Sequence, residues 1–445
     1  MSIASFAIVL GSLLKAQSPE PTAQSGSASW QAWVLGAQIN VITQHLVPFN
    51  SPYSSNNSLD GGGDTRTSHA YGLYAGAKIA KRLDGYLDVE MIRGSGISHV
   101  TGLGGPTNGD VIRQGSADLG TGPYVARAFL RYTIARDDGA LDTLTRARDQ
   151  IPSIVPSRRL EIIAGKLALS DLFDLNRYAN STRAQFMNWS LFQNTAWDFA
   201  ADTRGYSNGI AVAWIYPLWA LRAGTFQMPT QANGNTFDSD LRRAHAEQAE
   251  LTVNVPRTNT VARLLAFGNH ARMGNYNDAI ARARAMGSAP DIVADDRPGR
   301  SKYGFGLNME QPLANDGETG AFARLGWSDG KNESFAFTEV DRHASLGLQV
   351  SGASWQRTLD HFAVAGVLHG LSPQHAEYLA AGGSGFLLGD GRLRYAREQI
   401  VEGYYRLQLG DFTQLSPDVQ YIRNPGYNRD RGPAWIPALR VNIRF

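Results

Sequence analysis

From Leu439 to Phe445 every second residue is apolar: Leu439, Val441, Ile443 and Phe445 alternate with Arg440, Asn442 and Arg444. A period of two places the two sets on opposite faces of a β-strand. The pattern recurs along the chain, and it limits the fold more than any other feature. Trp33, Leu35, Ala37, Ile39 and Val41 form one face of an early segment, with Gln38 and Asn40 on the other. Tyr71, Leu73, Ala75, Ala77 and Ile79 follow, then Asp84-Gly85, then Leu87, Val89 and Met91 against Asp88 and Glu90. An Asp-Gly pair between alternating runs predicts a hairpin turn there. Tyr124, Ala126, Ala128, Leu130, Tyr132 and Ile134 are opposed by Arg127, Arg131 and Thr133. In the second half, Tyr303 to Met309, Ala321 to Trp327, Val401 to Leu409 and Leu415 to Tyr421 repeat the scheme.

Such alternation suits a soluble sandwich, whose apolar face is the core, or a membrane barrel, whose apolar face meets lipid. Three details favour the barrel. Tyrosine and tryptophan stand at the ends of apolar faces, as at Trp33, Tyr71, Tyr124 and Trp327, where an interfacial girdle belongs. Connections alternate between short ones, 84–85 and 410–411, and long ones, 98–121 and 136–157, as between periplasmic turns and external loops. The apolar faces are also rich in alanine and glycine, which fill a sandwich core poorly. The expected fold is all-β: a single closed antiparallel transmembrane β-barrel of about 16 strands. A barrel in hydrocarbon can leave no unpaired edge, so the last strand should close on the first.

Composition agrees. Lys+Arg 42 against Asp+Glu 40 is too balanced for a nucleic-acid partner, and the chain lacks cysteine, so disulfides and thiolate chemistry are excluded. Ile3 to Leu14 is apolar but too short to span a bilayer as a helix, and it suits the core of a signal peptide at 1–16. Residues 17–29 read as a flexible polar lead-in, and 30–445 as the barrel domain.

Chemical motifs are sparse. The chain has neither a Walker loop nor an HExxH. "GLGGPTNGD" (102–110) lies outside any βαβ context and reads as a loop. "DLFDLNRY" (171–178) lacks EF-hand spacing. Ser345 with His343, or Ser98 with His99, are the candidates for a barrel enzyme, without an acid partner in view. No catalytic residue, cofactor or metal is expected. Residues 274–286 read as a short helix in an external loop. The segment 163–206 is more telling, because it carries Phe173, Tyr178, Phe186, Trp189, Phe192, Trp197 and Phe199 among many amides. Such a loop folded into a pore would narrow it, offering rings to the apolar face of a sugar and polar groups to its hydroxyls.

Several stretches together resemble the carbohydrate-selective porins of the OprB type. They are "GKLALSDLFD", "AQFMNWSL", "WDFAADTRGYSNGIAV", "KYGFGLNMEQPL", "GAFARLGWSDGKNESFAFTEVDRHASLGL", "GLSPQHAEYLAAGGSGFLLGDGRL" and "LSPDVQYIRNPGYNRDRGP", the last the most specific. The resemblance implies a narrow barrel in the outer membrane of a Gram-negative bacterium, through which monosaccharides diffuse passively. A general or acidic-saccharide porin is the alternative, marked by an arginine ladder. On this resemblance Asp88, Glu90, Arg127, Arg131, Asn188 and Trp197 belong to the solute pathway. Strand facing and the aromatic loop add Lys166, Asp198, Glu402, Arg406, Asp418 and Gln420. Implied partners are small carbohydrates, outer-membrane lipid and the barrel-assembly machinery. Because a terminal aromatic strand is what that machinery reads, Phe445→Ala should lower the folded barrel recovered from outer membranes while leaving synthesis intact. Unchanged recovery by heat-modifiable gel migration would contradict this.

Overall fold

The computed structural model describes residues 32–112, 119–136 and 139–445; the expected signal peptide and lead-in lie outside them. The strands are β1 (Trp33–Leu46), β2 (Asp64–Ala80), β3 (Leu83–Gly94), β4 (Tyr124–Ala135), a short pair β5 (Leu141–Leu144) and β6 (Ser153–Pro156), β7 (Arg159–Leu167), β8 (Ser207–Ile215), β9 (Trp219–Gln227), β10 (His245–Val255), β11 (Thr260–Met273), β12 (Arg297–Ala314), β13 (Thr319–Ser328), β14 (Arg342–Ser351), β15 (His361–Gly370), β16 (Glu398–Leu409), β17 (Thr413–Arg423) and β18 (Ala434–Arg444). All except β5 and β6 form one closed sixteen-stranded barrel, each strand paired antiparallel with its neighbours. Closure is made by β1 against β18, with Ile39 opposite Ile443 and Val41 opposite Val441. The Phe445 amide donates to the Ala37 carbonyl at 2.9 Å. Every strand edge is thereby met inside the sheet, as hydrocarbon demands.

Alternation sorts the side chains as expected. Leu264, Leu325, Leu346 and Val401 face outward and are exposed on the barrel, where lipid would cover them. Their inward neighbours Arg324, Ser345 and Glu402 are buried. Aromatic pairs mark both rims: Tyr303 with Trp327 and Tyr421 with Trp435 at the end carrying long loops, Tyr216 with Trp219 and Phe412 with Phe445 at the other. Among the described residues no helix is long and apolar enough to cross a membrane, so the strands do so. The helix Tyr276–Met286 forms in an external loop, capped by Asn275, with Tyr276, Ala279, Ile280 and Ala283 buried. It packs beside the helix Pro373–Ala380, joining Tyr378, Leu379 and Tyr427 in a separate apolar cluster.

Three local expectations are corrected. Asp84 and Gly85 lie inside β3, opposite Lys78 and Ala77, and the turn falls at 81–82. Tyr124 faces the lumen rather than lipid, because the register slips between Asp88 and Val89, and the Tyr124 hydroxyl donates to Glu90 at 3.3 Å. The stretch 139–158 lies at the end of the short turns, since β4 runs opposite to β3. It carries the β5–β6 hairpin and turns back into the barrel, where Ile151 is buried against the inner wall.

Candidate functional site

The loop 168–206, between β7 and β8, fills much of the lumen. Its large apolar side chains pack on one another and on inward-facing rings of the wall. Phe173 meets Trp197 of the same loop and Phe226 of β9 edge-on at 6.2 Å, and Phe186 meets Tyr404 of β16 at 5.1 Å. Backbone groups carried into this interior need partners, and the polar residues of the inner face supply them. Glu250 on β10 accepts from the Asp174 amide at 2.6 Å, and Glu402 on β16 accepts from the Met187 and Asn188 amides. Arg324 on β13 donates to the Leu191 and Ala179 carbonyls at 2.9 and 2.8 Å and pairs with Asp174 at 3.1 Å. Arg440 on β18 donates to the Thr182 carbonyl at 2.9 Å, and Lys302 on β12 pairs with Asp198 at 3.0 Å. Gly306 and Gly326 sit opposite each other on β12 and β13; a Cβ on either would run into the Asn194 amide group. The wall is thus cut to receive the loop.

Residues 95–112, which follow β3, also fold inward. Asp110 accepts from Asn40 on β1 and from Arg183 on the long loop, each at 2.7 Å. From the opposite end the segment around Arg148 and Asp149 rises to meet them. Two polar cavities remain beside β3, β4 and β7, and Asp171 borders both. There Arg127 donates to Asp171 at 2.6 Å and to Asp88 at 3.3 Å. Arg148 reaches Asp171 at 3.2 Å and Asp149 at 3.4 Å. Glu90 accepts from Arg183 at 3.0 Å and from the Tyr206 hydroxyl at 2.6 Å. Burial alone would raise the pKa of Asp171, but Arg127 and Arg148 outweigh it and hold the carboxyl below its ordinary value. Asp171 borders a cavity of about 150 Å³ toward the external side and one of about 180 Å³ beyond it, lined by Arg131, Arg159, Glu161 and Arg222. In the first, Trp189 and Phe337 stack at 5.0 Å beside the charged groups.

The candidates read from sequence divide into two sets. Asp88, Glu90 and Arg127 stand at this centre. Arg131 faces the second cavity, over the Tyr86 ring at 5.0 Å, and Lys166 lies beside Tyr206 at 5.7 Å. Arg406 is half-buried against His361. Asn188, Trp197, Asp198, Glu402, Asp418 and Gln420 are buried and line neither cavity, whereas Glu90 and Arg127, equally buried, border the first. Trp197 donates to Gln248 at 2.7 Å and Asn188 to Gln420 at 2.9 Å. Asp88 and Arg127 are neighbours on adjacent strands. Sequence reasoning missed Arg148, Asp149, Arg183 and Asp110, and met Asp171 only in a stretch without EF-hand spacing. "TRARDQ" (145–150) held the one signal, a charged cluster in a connection too long for a plain turn.

The serines considered for catalysis lie inside. Ser345 is 3.0 Å from His343, whose other nitrogen meets Thr195 at 2.8 Å, all buried under the loop. A Gly-x-Ser-x-Gly spacing at 205–209 leads into β8 rather than a helix, and its Ser207 donates to the Gln227 carbonyl at 2.7 Å.

The family model described as "Carbohydrate-selective porin, OprB family" matches residues 77–445. The chain belongs to this family. Its fold is similar to that of OprB from Pseudomonas putida in a high-pH structure, with a TM-score of 0.69 at 16% identity over 93% of this chain and 94% of that one. The outer-membrane channel DcaP of Acinetobacter baumannii aligns over 93% of this chain and 97% of its own at 10% identity, with a TM-score of 0.50. No functionally curated protein matches the sequence. The protein is an outer-membrane sugar porin, a channel of a Gram-negative bacterium.

The buried anchors generate a prediction. Arg324→Met removes a guanidinium and leaves Asp174 buried without its charge partner, a change that typically costs about 3–5 kcal/mol. Thermal unfolding should shift down, and bilayer recordings should show larger, noisier currents as the loop loosens. Wild-type noise and stability would contradict the anchoring role.

Proposed function

We propose that the passage beside β3, β4 and β7 selects monosaccharide-sized neutral solutes at the Arg127–Asp171–Arg148 centre. The observation carrying this reading is the pairing of opposite charges around a cavity edged by stacked rings. Arg127, Arg148 and Arg183 each have a carboxylate in contact. Such pairs present donors and acceptors to hydroxyls while leaving little net field for an ion. Trp189 and Phe337 supply an apolar platform for a sugar ring. The pairing speaks against an acidic-polymer porin, which would be served by arginines without carboxylate partners.

The paired charges have different duties. Arg127 is buried between Asp88 and Asp171 and braces the loop against the wall. Arg148 is the more accessible, with 36% of its side chain exposed, so it meets the passing solute. Lys166 and Arg131 extend the polar lining to either side. Asn188, Trp197, Asp198, Glu402, Asp418 and Gln420 act on the solute indirectly, by fixing the loop. Arg406 adds a donor on the far wall. The C-terminal strand is the segment that the assembly machinery would engage, and the leader at 1–16 would direct export.

Arg148→Ala tests the charge balance without removing the Arg127 brace. It leaves Asp171, Asp149 and Asp88 in excess. A unit charge about 4 Å away in water is worth about 1 kcal/mol, roughly fivefold in an equilibrium. Reversal potentials should therefore move toward cation preference by up to about that factor, with slower entry of glucose relative to salt in liposome swelling. An unchanged ratio in a stably folded variant would remove Arg148 from the selective centre.

A further inference from the structure

A second cluster of chemistry-bearing residues lies on the outer surface, away from the solute passage. His245 on β10 and His270 on β11 are opposite each other in the ladder. Directly opposed residues on antiparallel strands bring their side chains together, and here the imidazole rings are 4.6 Å apart. Glu247, two residues along β10 and on the same face, joins them. One ligand atom from each of the three can be chosen so that all lie within 4.8 Å of one another. The Nε2 atoms of both histidines converge on the carboxylate, His245 at 2.9 Å and His270 at 3.9 Å. Ser301 on β12 lies 2.8 Å from His270 Nδ1, leaving His270 Nε2 toward the cluster. Gly268, opposite Glu247, leaves the carboxylate room to lie across the strand pair.

The position also bears on function. Gly268 is in register with Tyr303, and His270 with Ser301, so the cluster begins where the external aromatic rim ends. The three side chains are partly exposed there, between 25% and 52%. From this geometry we infer that His245, His270 and Glu247 form a divalent transition-metal site, of the zinc class, on the outer rim of the barrel. Two imidazoles and a carboxylate are a donor set suited to zinc, copper or nickel rather than to calcium or magnesium, which take oxygen ligands. Three protein donors leave a coordination position open to water or to an oxygen of the surrounding outer leaflet. The metal would tie β10 to β11 beneath the external loops 228–244 and 274–296. An ion pair between His245 and Glu247 alone is the plainer arrangement, and it predicts no metal affinity.

The test uses the untagged, metal-free barrel in detergent. Zn²⁺ is titrated by calorimetry and Co²⁺ by visible absorption. One equivalent should bind, with the absorption of a nitrogen-ligated cobalt. Loss of an outer-shell partner typically weakens metal sites about 10- to 100-fold; His245→Gln or His270→Gln removes a ligand itself and should weaken binding by at least that factor. Glu247→Gln should weaken it as well, whereas His45→Ala, on β1, should not. Excess Ca²⁺ should fail to displace Zn²⁺. The side chains point away from the core, so heat-modifiable migration should confirm folding of each variant. No saturable equivalent, equal binding by the folded His245→Gln/His270→Gln variant, or displacement by Ca²⁺ would overturn the assignment.

Discussion

A loop drawn into the lumen of a barrel must find a partner for each backbone group it removes from water, because an unmet buried amide or carbonyl costs as much as a lost hydrogen bond. This requirement links the rest of the structure. It explains why the inward positions of β10, β12, β13, β16 and β18 carry Glu250, Lys302, Arg324, Glu402 and Arg440. Each meets the loop 168–206 through a backbone group or a carboxylate. With the loop fixed against that half of the wall, the passage is pressed toward β3, β4 and β7. The solute then meets whatever charges the loop and the opposite wall hold in common.

The passage is narrowed from both ends. The loop 168–206 and residues 95–112 descend from the external side, while the segment carrying Arg148 and Asp149 rises from the other. Asp171, on the loop 168–206, takes a guanidinium from the wall at Arg127 and one from the rising segment at Arg148. A rigid opening with alternating charge suits a neutral, hydroxyl-rich solute, for which hydrogen bonds lost to water are replaced along the way. Bound too tightly, the solute would not leave, and on the proposed reading the partly exposed Arg148–Asp171 pair offers it a weak contact rather than a strong site.

The barrel was legible because its signal is local and repeated. Period-two alternation of Leu439 to Phe445, or of Val401 to Leu409, assigns faces without knowledge of any other segment. The aromatic loop was legible from composition, since Phe173, Trp197 and Phe199 had to be buried somewhere. The roles of its residues were not, because inward facing does not separate a side chain open to water from one covered by a loop. Glu402 and Arg131 read alike in sequence, yet one holds loop amides and the other lines a cavity. Tyr124 was misplaced by a single register slip, which reverses facing. Arg148 was hidden because the return of residues 145–152 into the lumen depends on contacts with Asp171 and Arg127, both outside the β5–β6 hairpin.

The central claim is that a fixed, charge-balanced constriction passes small neutral sugars in preference to ions and larger saccharides. Paired measurements on one preparation test it most directly: liposome swelling with mono-, di- and trisaccharides, beside single-channel conductance and reversal potential in planar bilayers. The account predicts small conductance, weak preference between potassium and chloride, and swelling rates that fall steeply from mono- to trisaccharides. Strong anion selectivity, with swelling that varies little with sugar size, would contradict it.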